Sequence, residues 1–466
     1  MSHSEFYPLS SPSTLKSYFL HRPISSLPTP ALILDRNKLV KNCNAMLQVC
    51  QKLGVGFRAH VKSHKTLELS RLQVGDGGHA EEKGRGGRAD FVVSTLIEAE
   101  NLVGYVKECQ EAGRGGSILY GIPVPQSATP RLVNIAKQLA PGSISIMIDN
   151  LNAFNQFTTA LSSSADATAN QQIGIFIKID TGYQRAGVKT SSPKFPALVD
   201  AIANSDNSHV LLKGFYSHYG HSYAGNSPDD AAHGLIEELV GLEAACSALP
   251  STLSRKLVLS VGATPTATAA QNMLSSGSPR VQEFQNILGR LKERFYVELH
   301  AGVYPLLDCQ QVATHARPAE GHTGEGFQPL SKDNIAIKML LEVTSVYDER
   351  DKPEALVSAG SLALGREPCK SYPGWGIVTS DFGNAGTSSV YDERGDRTGW
   401  IVGRVSQEHG ILVWEGEREK CNPLTIGDKV TVWPNHACVA GAGFGWYLVT
   451  DGGDEVVDVW VRWRGW

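Results

Sequence analysis

The stretch IGIFIKIDTGYQRAG, residues 173–187, joins an almost unbroken apolar run to a polar end that contains glycine. Near-continuous apolar runs are typical of strands that are buried on both faces of a parallel sheet. We therefore expect Ile173–Asp180 to be a buried parallel strand that ends in a polar segment.

Similar apolar runs recur along the chain, and the segments between them carry apolar residues at helical spacing, for example Pro193–Ala203 and Asp229–Leu249. The predicted strands are Gly54–Val61, Phe91–Leu96, Ser117–Gly121, Ser143–Asp149, Ile173–Asp180, Val210–His218, Lys256–Thr264 and Phe295–Gly302. Eight strands that alternate with helices predict an α/β fold, namely a (β/α)8 TIM-type barrel.

The pattern changes after about residue 333, where short apolar runs are separated by Gly and Asp turns and show no helical period. The segment WYLVTDGGDEVVDVWVRW, residues 446–463, predicts a β-hairpin around Asp-Gly-Gly-Asp. These patterns divide the chain into an N-terminal arm (1–29), a barrel domain (30–332) and a C-terminal all-β domain (333–466).

Three further segments bear on this division. The early strand ALILD, residues 31–35, could join the sheet of the C-terminal domain. Residues 75–90 and 314–332 are rich in Gly and charge and poor in apolar residues, so we expect both to be mobile surface loops.

The composition excludes several classes of protein. A net charge of −4 provides no basic field for nucleic acid. The longest apolar runs, about eight residues, are too short to span a bilayer, so no membrane partner is expected. The arm has no apolar core of a signal peptide, and the eight cysteines form no disulfide framework, which favours a cytoplasmic protein.

The active site of such a barrel lies at the carboxyl ends of its strands, commonly with a phosphate site after strands seven and eight. The seventh predicted strand leads into SVGATPT (260–266), where Gly262 permits close backbone approach and Thr264 offers a hydroxyl. The eighth leads into ELHAGVY (298–304), which adds Gly302 and Tyr304 as candidates.

Basic residues at the end of the first predicted strand point to the chemistry of the site. The segment RAHVKSHKT (58–66) places Lys62 nearest the strand and Lys65 three residues further on. A desolvated lysine beside a phosphate site suggests pyridoxal 5'-phosphate, because such an amine can form a Schiff base with the cofactor aldehyde. We expect Lys62 to be this lysine.

A second group of residues, PNHAC (434–438), suggests a metal site. If the segment is a strand, His436 and Cys438 lie on the same face and could bind one ion such as zinc. Two protein ligands would leave positions open for substrate or water.

Six segments in order resemble the eukaryotic D-serine dehydratases, which belong to the alanine racemase-like enzymes that use pyridoxal 5'-phosphate. They are RAHVKSHKT, KIDTGYQRAG (178–187), GFYSHYGHSY (214–223), SVGATPT, ELHAGVY and WPNHAC (433–438). The resemblance implies an alanine racemase-like barrel with a C-terminal β domain. It also implies a lyase that converts D-serine to pyruvate and ammonia.

The resemblance also implies roles for individual residues. Lys62 is the cofactor lysine and the catalytic residue, and His436 and Cys438 bind Zn2+. The remaining cofactor-binding residues implied by the motifs are Arg185, Tyr216, His218, Gly262, Ala263, Thr264, Gly302 and Tyr304. Tyr219 and His300 depart from the family pattern, which leaves the preference among small β-hydroxy-D-amino acids open.

Two matters stay open at this level. A metal-dependent D-threonine aldolase shares the fold, cofactor and lysine, although Cys438 favours zinc and therefore the dehydratase. By analogy with the family we expect a homodimer, but the sequence does not show which subunit the metal site serves.

Overall fold

A computed structural model provides the structure, and it describes residues 6–77, 86–163, 172–274, 278–321, 326–379 and 389–466. Two expected loops fall partly beyond these ranges, at 78–85 and 322–325, so their mobility stays a prediction. Within the described part of the chain, no helix is both long and apolar enough to cross a membrane.

Eight parallel strands form a closed barrel, as the sequence predicts. They are β2 (Gly56–His60), β3 (Ala89–Val93), β4 (Gly116–Pro123), β5 (Ile144–Ile148), β6 (Ile173–Lys178), β7 (Val210–Tyr216), β8 (Val258–Val261) and β9 (Tyr296–Ala301). Each overlaps one predicted strand, and their bounds differ from the predicted ones by a few residues. The barrel closes where β2 pairs with β9 and Arg58 lies opposite His300.

Helices cover the barrel and its ends. They are α1 (Pro12–Phe19), α2 (Arg36–Leu53), α3 (Leu67–Gln73), α4 (Leu96–Glu111), α5 (Thr129–Ala136), α6 (Leu151–Ser162), α7 (Lys194–Ala203), α8 (Pro228–Cys246), α9 (Thr264–Ala269), α10 (Pro279–Arg294), α11 (Cys309–Ala313), α12 (Ser361–Leu364) and α13 (Ala437–Ala440). Polar caps start several of them: the Thr66, Thr95 and Ser227 side chains accept a backbone N–H in α3, α4 and α8.

The C-terminal region is built around a nine-stranded sheet. Besides β1 (Ala31–Asp35), its strands are β10 (Ile337–Tyr347), β11 (Glu354–Val357), β12 (Gly376–Val378), β13 (Gly399–Val405), β14 (Gly410–Glu415), β15 (Lys429–Pro434), β16 (Trp446–Thr450) and β17 (Asp458–Val461). Pairing of β10 with β11 closes six of these strands into a second, antiparallel barrel. The predicted hairpin is confirmed, because β16 and β17 are antiparallel neighbours.

The N-terminal segment belongs physically to this second sheet. Strand β1 lies between β10 and β16, which confirms that ALILD joins the C-terminal sheet. Phe19 and Leu27 of the arm are buried against the same sheet, beside Val459. The three-part division of the chain at residues 29 and 332 stays a prediction, but β1 is not part of the (β/α)8 barrel.

The expected surface loop at 314–332 is exposed only at 318–321, and its other described residues are buried or half-buried. Thr314, Arg317 and Leu330 are each at most 5% exposed. The Leu330 N–H donates to the Pro318 carbonyl at 2.9 Å, so the segment folds back on itself. The sequence composition could not reveal this burial, since the segment is packed by tertiary contacts rather than by a periodic apolar face.

A buried ion pair ties the first and last barrel strands together. Arg58 of β2 donates to both carboxylate oxygens of Glu298 in β9, at 2.6 and 3.1 Å, and to the Ser117 hydroxyl at 2.9 Å. Arg58 and Glu298 are 3% and 7% exposed. The pair satisfies both charges where water has little access.

Replacing Arg58 by methionine should leave the Glu298 carboxylate buried without its cation. We expect Arg58→Met to lower the free energy of unfolding by about 3–5 kcal/mol, measured by urea denaturation. Arg290→Met is the control, because it breaks an ion pair with Glu243 on the protein surface and should have little effect. Equal losses in both variants would contradict a special role for the buried pair.

Candidate active site

A cavity of about 350 Å3 lies at the carboxyl ends of barrel strands β2, β7, β8 and β9, and the C-terminal region forms its other wall. It is lined by several of the residues predicted from sequence, which are Lys62, Arg185, His218, Ala263, Thr264, Gly302, His436 and Cys438. A smaller cavity of about 280 Å3 shares Lys62, Arg185 and His218 and adds Tyr216. Two predicted residues, Gly262 and Tyr304, line neither cavity.

The structure separates the two lysines of the first motif. Lys62 follows the end of β2 by two residues and faces both cavities. Its N–H donates to Nδ1 of His60 at 3.4 Å. Lys65 instead forms an ion pair of 2.9 Å with Glu98, which is fully buried. Lys62 is therefore the better candidate for a reactive amine.

Two histidines and a tyrosine form a stack beside Lys62. The Tyr216 and His300 rings lie 4.0 Å apart and nearly parallel, and His218 lies 6.0 Å from His300. His218 Nδ1 must carry a hydrogen, because it contacts the Gly262 carbonyl oxygen at 2.8 Å. Burial, together with the nearby Lys178, lowers the pKa of His218, so the neutral ring leaves Nε2 as an acceptor.

A second lysine lies close to this stack. Lys178 ends β6, lines the smaller cavity, and its Nζ lies 4.8 Å from the centre of the Tyr216 ring. Burial, followed by the charge of Arg185, lowers the pKa of Lys178 to about 8. Lys178 is 5% exposed, so its side chain has little contact with water.

The loop after β8 approaches the barrel wall closely. Gly262 has φ +143°, and a Cβ there would lie 2.2 Å from the His300 carbonyl oxygen. The Gly262 N–H donates to Glu238 at 3.0 Å, and the Ala263 N–H donates to the Thr266 hydroxyl at 2.8 Å. Both N–H groups are therefore already bonded within the protein. Ala263 and Thr264 of this loop line the main cavity, and the phosphate-binding role of the loop stays a prediction.

The side chain of Tyr304 does not reach the site. Tyr304 is 2% exposed and packs edge-on against Phe57, with ring centres 5.6 Å apart. Burial, with Cys43 next in effect, raises the pKa of its hydroxyl well above the usual value. The side chain therefore points into the core, a direction that motif spacing could not show, and the cofactor-binding role of Tyr304 stays a prediction.

The predicted metal pair is brought together, but not by a strand. Strand β15 ends at Pro434, and His436 caps the short helix α13, which contains Cys438. The expected strand geometry is therefore wrong. The Cys438 thiol lies 2.9 Å from the Ser63 hydroxyl, next to Lys62, so the pair and the lysine share one wall of the cavity.

Two buried polar residues fix this turn. Asp308 accepts the N–H of Ala437 at 2.9 Å and that of Gln311 at 2.8 Å. Asn435 donates to the carbonyls of Glu367 and Gly374 at 2.9 and 2.7 Å. The turn is thus held from the barrel side and from the C-terminal side together.

The charges around the pair favour a Cys438 thiolate beside a protonated His436 ring, and the ring must lose this proton before it can bind a metal. Burial lowers the pKa of His436, but Cys438, Asp308 and Glu367 outweigh it and raise that pKa to about 9. Burial raises the pKa of the Cys438 thiol, but His436 and Lys62 bring it below the usual value, which favours the thiolate that metals bind. Among the described residues, no group of three or more His, Cys, Asp or Glu side chains could hold a metal.

Two known protein families match the two main parts of the chain. Residues 34–279, which include Lys62, match the family described as "Alanine racemase, N-terminal domain", and residues 336–450, which include His436 and Cys438, match "Putative serine dehydratase domain". The chain is 37% identical to D-serine dehydratase of Schizosaccharomyces pombe, over 99% of this chain and 98% of the relative. It is 33% identical to D-serine dehydratase of Saccharomyces cerevisiae, over 95% and 97%.

The chain belongs to the D-serine dehydratase family. It is a lyase, and the resemblance given by the six motifs is confirmed. The solved structure of D-threo-3-hydroxyaspartate dehydratase from Delftia sp. HT23 covers 95% of this chain and 100% of its own, with a TM-score of 0.70 at 24% identity. That likeness concerns the fold, and it confirms the alanine racemase-like barrel with its β domain.

Several residues of this lyase site were not predicted. Lys178 could have been found, because it ends a barrel strand at the same rim as Lys62. Tyr223, Gln310 and Glu367 also line the main cavity. Glu367 and Gln310 come from irregular or short segments of the chain, and no spacing pattern marks them.

The close approach of Gly262 to β9 generates a stability prediction. Gly262→Ala should force the loop and the His300 backbone apart, and we expect the free energy of unfolding to fall by at least about 2 kcal/mol. Gly289→Ala is a matched control in helix α10, where a Cβ would meet nothing within 4 Å. The control should be neutral or stabilising by up to about 1 kcal/mol, as followed by thermal and urea unfolding. Wild-type stability in Gly262→Ala would show that the loop tolerates the added atom.

Proposed function

We propose that the protein is a D-serine dehydratase dependent on pyridoxal 5'-phosphate and zinc, which converts D-serine to pyruvate and ammonia. The observation that carries the proposal is the shared cavity wall, where Lys62 and the pair His436 and Cys438 face the same space. The names of the two yeast relatives support the substrate.

The residues present fit the cofactor. A cavity of about 350 Å3 is within the usual range for small ligands and contains an amine at the end of a barrel strand. Nε2 of His300 is buried without a hydrogen-bond partner among the described residues, so it is available to bond a polar atom of a ligand. Thr264 and Gly302, at the ends of neighbouring strands, would face the phosphate, and Lys62 would hold the aldehyde carbon.

The residues also fit zinc. A thiolate and an imidazole are ligands that zinc prefers, and Nδ1 of His436 is buried with no hydrogen-bond partner in the described chain. Two ligands leave positions for the β-hydroxyl of a substrate. Glu367 lies 3.9 Å from His436 and adds negative charge beside the pair.

Different residues of the chain would then carry out different parts of the reaction. Pyridoxal 5'-phosphate, when bound, supplies an electron sink at the α-carbon, and zinc supplies a Lewis acid for the departing hydroxyl. Lys62 can take the α-proton from one face of the substrate, because its amine reaches both cavities. Burial keeps the rings of His218 and His300 neutral, so this wall of the site is polar but uncharged. Loss of water from D-serine and hydrolysis of the resulting enamine give pyruvate and ammonia.

We further propose that the protein is a homodimer in the cytoplasm. Ile122 and Tyr183 support the homodimer, because these large side chains stay 43% and 41% exposed at the rim of the two cavities. Light scattering during size-exclusion chromatography would measure the mass, and a monomer at micromolar concentration would refute the dimer.

Product identification tests the reaction. Purified holoenzyme given D-serine, L-serine and D-threonine separately should form pyruvate from D-serine, and chelation should remove this activity. Glycine and acetaldehyde from D-threonine, without keto acid from D-serine, would instead establish the aldolase alternative.

Removal of one ligand tests the metal pair. Cys438→Ala should lose bound zinc, measured by atomic emission, and should lower kcat/KM for D-serine by about 100-fold or more. Cys421→Ala is the control, since this half-buried thiol also belongs to the C-terminal region but lines neither cavity. Full zinc content in Cys438→Ala would remove Cys438 from the proposed ligand set.

A further inference from the structure

Glu238 is a buried carboxylate that belongs to no part of the chemistry described above. It lies in the middle of helix α8 and is fully buried. No ion pair to it exists among the described residues of the chain. Two of its four hydrogen-bond donors lie in the loop after β7, one lies in the loop after β8, and the fourth lies in helix α9 directly after that loop.

The donors to Glu238 lie on both sides of His218 and at the start of the loop after β8. Oε1 accepts the N–H of Tyr219 at 2.9 Å, the N–H of Gly262 at 3.0 Å and the hydroxyl of Ser217 at 3.4 Å. Ser217 and Tyr219 are the two chain neighbours of His218. One oxygen atom therefore fixes the backbone on both sides of His218 and at the start of the β8 loop.

The second oxygen extends the same arrangement to the β8 loop. Oε2 accepts the hydroxyl of Thr266 at 2.8 Å, and that hydroxyl accepts the N–H of Ala263 at 2.8 Å. The Gly262 carbonyl accepts from His218 at 2.8 Å, which joins the two loops directly. The carboxylate, the glycine and the histidine thus form a closed set of contacts behind the cavity wall.

We infer that Glu238 is a positioning residue for the cofactor site: it holds His218 and the Gly262–Thr264 turn in the geometry that receives pyridoxal 5'-phosphate. This inference rests on the proposed function. Glu238 does not touch the cavity and acts only through the loops. Burial raises its pKa to about 7, against the effect of its four donors, so these hydrogen bonds are what stabilise the charged carboxylate.

The side-chain chemistry suggests a graded set of variants. Methionine at 238 would fill the space but would leave two backbone N–H groups buried without acceptors. Glutamine would keep one oxygen for those N–H groups, and its amide could donate to the Thr266 hydroxyl instead of accepting from it. Glu237→Gln is the matched control, because the neighbouring Glu237 is exposed on the same helix.

The experiment is cofactor release from the holoenzyme, followed by its visible absorbance during dialysis. We expect Glu238→Met to release pyridoxal 5'-phosphate at least tenfold faster than wild type. Release from Glu238→Gln should be at most about threefold faster, and Glu237→Gln should match wild type. The melting temperature of each cofactor-free protein is measured in parallel, because a merely structural role would lower it without changing release at low temperature.

Several results would overturn the inference. Wild-type release from Glu238→Met would do so, and so would equal release from the Met and Gln variants with equal loss of melting temperature. If Glu238→Met does not fold, Thr266→Val replaces it. That variant should speed release severalfold, and unchanged release from Thr266→Val would refute the role. A wild-type protein that holds no pyridoxal 5'-phosphate would refute the proposed function as well, whereas normal binding with indifferent variants would refute the inference alone.

Discussion

Pairing of β2 with β9 is the constraint on which the site depends. These strands are separated by most of the barrel sequence, yet the closed sheet makes them neighbours, and the Arg58–Glu298 ion pair lies across their boundary. Closure brings the lysine that follows β2 to the glycine that follows β9. Without it, Lys62 would follow an open edge strand and would have no wall opposite it.

A second constraint is the contact between the barrel rim and the C-terminal region. Asp308 follows the last barrel strand and accepts an N–H from the turn that carries His436 and Cys438. The Gln310 N–H donates to the Asn435 carbonyl at 3.0 Å, and Ser63 meets the cysteine directly. Lys62 and the pair His436 and Cys438 therefore keep their relative position although they follow strands of different sheets.

The sequence predicted those features that repeat or that depend on strand ends. Eight buried strands give a repeating apolar pattern in the sequence. Because active sites of such barrels lie at the carboxyl ends of the strands, this pattern then locates Lys62, Thr264 and Gly302 at the cavity. Features that depend on the direction of one side chain were not predictable, as Tyr304 shows, because a turn after a strand can send its residues to either side. The burial of Arg317 also had no sequence signal, because its neighbours Ala316 and Pro318 are small and belong to no periodic apolar pattern.

The position of β1 has a consequence for biosynthesis. Strand β1 is synthesised early, but it pairs with β10 and β16, which begin only at residues 337 and 446. The strand therefore stays unpaired while the whole (β/α)8 barrel is synthesised. Its contacts are among those with the largest sequence separation in the fold. Such non-local pairing is slow to form and leaves an apolar strand available to other chains in the interim. The nascent chain is accordingly most vulnerable to aggregation before its last hairpin is made, because the nine-stranded sheet needs strands from both ends of the polypeptide.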